Sequence, residues 1–96
     1  MAIIEITTLR LAEGVSDESF LVLDRRIQTE LVPNQPGFLR RTTARRGGEW
    51  LVVTLWATEE DAAAYERSVE GHPLQLELQH AAEAGTLHQA RYVTLD

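Results

Sequence analysis

Residues 35–62 constrain the fold more than any other stretch of this sequence. Gln35-Pro36-Gly37-Phe38 reads as a turn that opens a strand, and Phe38 to Arg45 continues it. Gly47-Gly48 supplies a tight hairpin turn, because glycine tolerates the positive φ such turns need. Glu49 to Trp56 is the returning strand, and Trp56-Ala57-Thr58-Glu59-Glu60-Asp61-Ala62 carries the chain into a capped helix. The run Leu51-Val52-Val53-Thr54-Leu55-Trp56 is almost wholly apolar, which predicts a central strand buried on both faces. Thr58 is the predicted N-cap, with Glu59, Glu60 and Asp61 in the first turn where the helix dipole favours acids. A central strand needs neighbours, so the rest of the chain must be laid against this hairpin.

Ile3 to Leu11 is rich in β-branched residues and reads as the first strand. Ile4, Ile6 and Thr8 fall on one face, and Ile3, Glu5, Thr7, Leu9 and Leu11 on the other. Neither face is cleanly polar, so both need cover. After the turn at Ala12-Glu13-Gly14-Val15, Ser16 is a predicted N-cap, and Phe20, Leu23, Ile27 and Leu31 form one apolar helical stripe. Asp24, Arg25, Gln28 and Thr29 are expected on the opposite side, and Pro33, Asn34 and Pro36 end the helix. In the second helix Ala62, Tyr65 and Val69 form the buried stripe and Gly71 stops it. His72-Pro73 reopens a short helix with Leu74, Leu78 and Ala81 or Ala82 facing inward; Gly85 closes it, and Thr86 to Leu95 is the last strand.

The order strand, helix, strand, strand, helix with a short extra helix, strand predicts an α+β fold: a ferredoxin-like βαββαβ plait with a four-stranded antiparallel sheet. A chain of 96 residues has room for one such domain, residues 1–96. The helices can cover one sheet face only, yet the strands carry apolar residues on both. A homodimer through the open sheet face resolves this.

Composition narrows the function classes. The chain has no cysteine, so disulfide and thiolate chemistry are excluded. A formal charge of −6 and the absence of lysine argue against nucleic acid and anionic membrane partners. Arg40, Arg41, Arg45 and Arg46 cluster on one strand, and the expectation is a solvated edge that discourages sheet-to-sheet aggregation. No paired aromatics in a basic, glycine-containing setting mark the central strand as an RNA platform. No apolar run approaches the roughly 20 residues of a membrane span, and Met1-Ala2-Ile3-Ile4-Glu5 does not read as a signal peptide, so a cytoplasmic location is expected.

Gly14 after the first strand, Gln35-Pro36-Gly37-Phe38, and Trp56-Ala57-Thr58-Glu59-Glu60-Asp61-Ala62 together give the chain a resemblance to the antibiotic-biosynthesis monooxygenase-like domains of the dimeric α+β barrel superfamily. The resemblance spans essentially the whole chain, and it rests on turns and caps, which specify fold better than chemistry. It implies one of three things: a small oxygenase of aromatic quinols that needs no metal or flavin, a haem-degrading enzyme, or a relative without activity. The haem-degrading group uses an Asn, a Trp and a His. By spacing, those positions fall here on Thr7, Tyr65 and about Gln75, and none matches.

A cofactor-free oxygenase needs an apolar pocket and groups that favour the substrate anion. His72, at a helix start, is the expected base, and Tyr65, on the helix stripe, the expected hydroxyl donor. Thr7, Glu5, Trp56 and Tyr92 are expected substrate contacts. If the strand face shared by Thr7 and Glu5 meets the helices, Glu5 is a partly buried acid, and burial disfavours its charge. No metal site is expected, because His72, His80 and His88 lack ligand spacing; the acids at 59–61 are explained by helix capping. Two readings remain: a cofactor-independent monooxygenase of a small aromatic molecule, and a non-catalytic ligand-binding or accessory dimer of the same fold.

Overall fold

The computed structural model describes residues 1–96 and is a βαββαβ plait. The elements are β1 (Ile3–Leu9), α1 (Asp17–Arg26), β2 (Phe38–Arg46), β3 (Glu49–Trp56), α2 (Glu59–Ser68), α3 (Pro73–Ala81) and β4 (His88–Val93). The four strands form one antiparallel sheet in the order β2-β3-β1-β4, which leaves β2 and β4 as its edges. The first strand ends two residues earlier than the periodicity predicts, and Leu11 makes only an isolated bridge to Ala82. The last strand is likewise shorter than the expected 86–95.

The helix starts obey the capping chemistry. Ser16 accepts a hydrogen bond from the Ser19 N–H, and Thr58 accepts one from the Asp61 N–H. Helix α1 runs directly into a π-helical turn, Ile27–Leu31, closed by the Val32 N–H bonding to the Ile27 carbonyl. The wider turn still leaves Phe20, Leu23, Ile27 and Leu31 all buried, so the predicted stripe is real although its winding changes midway.

Alternation decides which face each strand presents. Trp50, Val52, Thr54 and Trp56 on β3, with Ile3, Glu5 and Leu9 on β1, are buried against the helices. The core divides into two clusters. Phe20 and Trp50 anchor the larger, with ring centroids 4.8 Å apart; Ile3, Trp56 and Ala62 make the smaller. Phe38 and Tyr65 pack against both.

The other sheet face carries Ile4, Ile6, Leu51, Val53 and Leu55, paired in register across β1 and β3, with Tyr92 beside Ile4 on β4. No element of the chain covers them. The β3 run is therefore fully buried on one face and half-buried on the other.

Candidate functional site

A cavity of about 590 Å³ opens between the helices and the sheet. Its apolar wall comes from Ile27, Val32, Val52, Val69, Leu78 and Leu87. Three of its polar lining residues, Arg41, Thr54 and Glu5, stand in one row that Arg91 extends beyond the cavity, and strand register explains it. Arg41 on β2 lies opposite Thr54 on β3; Thr54 lies opposite Glu5 on β1; Glu5 lies opposite Arg91 on β4. One rung crosses the entire sheet on the helix-facing side. Glu5 and Thr54 are the two polar residues of the chain that are buried, at 5% and 7% exposure.

Each end of the rung is tied to a helix. Arg41 is almost wholly buried and pairs with Asp24 of α1 at 2.8 Å; its Nη1 also donates to Gln28 Oε1 at 3.2 Å. One Asp24 oxygen makes no well-angled hydrogen bond, so this contact is an ion pair held by proximity. Asp24 and Gln28 thus face the sheet rather than lying on the outer side of the helix. Arg41 likewise departs from the expected solvated edge: it is a cavity residue. Arg45 follows the expectation more closely, with its guanidinium exposed beside Asp17 and 5.3 Å from the Trp50 ring centre. At the other end Arg91 donates through Nε to Glu5 Oε2 at 2.9 Å and reaches Glu66 and Glu59 of α2. Glu5, expected as a partly buried acid, has a cationic partner.

Tyr65 projects from α2 into this space. Its ring stacks at a tilt on Trp56, with centroids 4.9 Å apart, which fixes its direction. Burial pushes its hydroxyl up to about 12, against the smaller pull of the Arg41 cation and with a further push from Glu5. At neutral pH the phenol is a hydrogen-bond donor and no base.

Of the residues singled out by sequence, Glu5, Thr7 and Tyr65 line the cavity together, and Gln75 joins them. The positions that spacing assigned to the haem-degrading set therefore do converge, with different side chains in them. His72, Trp56 and Tyr92 are not in the wall. His72 is the N-cap of α3, and its Nδ1 accepts the Leu74 N–H at 3.1 Å, so the expectation of a histidine base is corrected. Trp56 is completely buried behind Tyr65 and supports it without reaching the opening. Tyr92 is half exposed on the opposite sheet face. No three His, Asp or Glu side chains converge as metal ligands would.

Nothing in the local sequence singles out Arg91, and Arg41 reads there as part of a solvated edge rather than of a site. The signal was Thr54, a polar residue among inward-facing Trp50, Val52 and Trp56; counting back through the Gly47-Gly48 turn places Arg41 opposite it.

At the level of sequence no protein-family model and no curated protein matches the chain. Solved structures match it in fold. SnoaB of Streptomyces nogalater, a cofactor-independent oxygenase, superposes with a TM-score of 0.83 at 13% identity, over 99% of this chain and 94% of that one. A candidate antibiotic biosynthesis monooxygenase of Bordetella bronchiseptica gives 0.81 at 13% identity, over 98% and 97%. Another from Nitrosomonas europaea gives 0.72 at 17% identity, over 98% and 90%. The chain has the fold of the antibiotic-biosynthesis monooxygenase-like domains.

Proposed function

We propose that this protein is a cofactor-independent monooxygenase of a small aromatic substrate, a quinol or an anthrone, working as a homodimer. The observation that carries the reading is the cavity itself, in which a protonated Tyr65 and the Arg41 guanidinium meet an apolar wall. Likeness in fold to a cofactor-independent oxygenase adds to it.

The chemistry asked of the protein is modest. An anthrone methylene is oxidised to a carbonyl by O2; one oxygen atom enters the product and the other leaves as water with the two hydrogens. The substrate supplies the electrons once it is an anion. Donors aimed at its oxygen favour that anion, and in a water-poor cleft they act more strongly than in water. Tyr65 and Arg41 line the cavity, with Thr7 and Gln75 bordering the same space, which supports this reading.

The dimer would join the open sheet faces, burying Ile4, Ile6, Val53 and Tyr92. No helix is long and apolar enough to cross a membrane.

The test is oxygen uptake by purified protein across anthrones and naphthohydroquinones, without added metal or flavin. Uptake with a quinone product is expected, reduced about 100-fold in Tyr65→Phe and unchanged in His72→Ala. No uptake from any substrate, with calorimetric binding of the same aromatics retained, would replace the oxygenase by a ligand-binding dimer.

A further inference from the structure

Glu5 poses a problem that packing does not answer. It sits on the inward face of β1 between the buried Ile3 and the half-buried Thr7, in a row that ends with the buried Leu9. A branched aliphatic side chain would fill the place without desolvating a carboxylate, and a buried ion pair is weak support for stability. The pair is also incomplete. Arg91 gives Glu5 one hydrogen bond, from Nε to Oε2, and directs Nη1 to Glu59 and Nη2 to Glu66 and the Ala62 carbonyl. Glu5 Oε1 receives no hydrogen bond from the protein. A carboxylate more than nine-tenths buried, fixed by one oxygen and lining the cavity, therefore keeps one acceptor in hand.

On the other side of Thr54 from Glu5 the rung carries a cation, Arg41. Arg41 and Tyr65 are donors lining the same cavity, and Thr54 lies between Arg41 and Glu5. A ligand in this cavity meets donors at one side and an anionic acceptor at the other.

We infer that Glu5 is the specificity-determining residue of the cavity, accepting a hydrogen bond from a ligand hydroxyl, and that Arg91 is its positioning residue. This rests on the small-aromatic reading of the site and narrows it to hydroxylated rings that present a free O–H. An O-methylated or unsubstituted ring leaves Oε1 buried and unpartnered, which is the situation that gives polar sites their strongest discrimination. Hydrogen bonds to an ionised acceptor are also the stronger kind.

Calorimetric titration with 2-naphthol, 2-methoxynaphthalene and naphthalene tests this directly. Wild type is expected to bind the naphthol about tenfold or more tightly than either analogue. In Glu5→Gln, which keeps a weaker acceptor, the ratio should fall several-fold; in Glu5→Met it should approach one. Glu59 and Glu66 remain to hold Arg91 in both variants, and thermal melting shows whether each is folded. Equal wild-type affinity for naphthol and methyl ether overturns the inference without recourse to any variant. A preference that persists undiminished in folded Glu5→Met also overturns it, while leaving the aromatic reading intact. Absence of binding by all three to wild type overturns the aromatic reading and this inference with it.

Discussion

Tyr65 shows how environment decides what a side chain can do. Its ring is held between two core clusters, and burial holds its phenol in the neutral form to about pH 12. Spectrophotometric titration of a Tyr92→Phe variant should show one tyrosinate transition near that pH. The folded value lies above the ordinary 10, so between about pH 10 and 12 the unfolded chain releases this proton first. The contribution is therefore intact below pH 10 and is lost as pH rises toward 12, which urea melts at stepped alkaline pH would register as a falling midpoint. The Asp24–Arg41 pair is the other residue-scale test. Its side chains are 13% and 5% exposed, against 58% and 48% for Asp17–Arg45. Removing one partner of the buried pair, in Asp24→Ala, should cost about 3 kcal/mol, and Asp17→Ala about 0.5 kcal/mol. Equal losses in denaturant titrations would show that the Arg41 side chain finds another partner.

At the scale of elements, periodicity and capping made most of the fold legible. Ser16, Thr58 and Pro73 mark helix starts because each meets a local backbone need, and Phe20, Leu23, Ile27 and Leu31 mark a face because helices repeat. The site was less legible, since Arg41, Thr54, Glu5 and Arg91 are brought together by strand register, which no local pattern encodes. His72 misled for the opposite reason: its local role as a cap is complete and leaves little over for chemistry. Gly37 illustrates a local signal with a tertiary cause. Its φ is +79°, and an added Cβ would lie within 2.5 Å of Asp61 Cβ on α2. Gly85 has a similar φ of +81° with nothing near it. Gly37→Ala should therefore destabilise by about 1 kcal/mol or more beyond Gly85→Ala, as chemical denaturation would measure.

For the whole molecule the open sheet face is the dominant fact. Ile4, Ile6, Leu51, Val53 and Leu55 form a half-buried apolar field that no element of the chain covers, and continuous faces of this kind mark interfaces. Light scattering should give twice the mass of one chain, and Val53→Arg, which puts an unpaired cation at its centre, should give a monomer. A wild-type monomer would leave the face without its expected occupant.

The rung across the sheet has a kinetic consequence. Its members are numbered 5, 41, 54 and 91, and the Arg91–Glu5 link spans 86 positions of sequence. The Glu5–Arg91 link is therefore made only when the final strand pairs with β1, a non-local closure. β4 is a mostly exposed edge whose Arg91 reaches Glu66 of α2, so fraying there should release Glu5 at the cavity before the rest of the molecule opens. Occupancy and strand docking become one equilibrium. A bound aromatic should slow hydrogen–deuterium exchange along 88–93 more than along β3, and Arg91→Ala should abolish that difference.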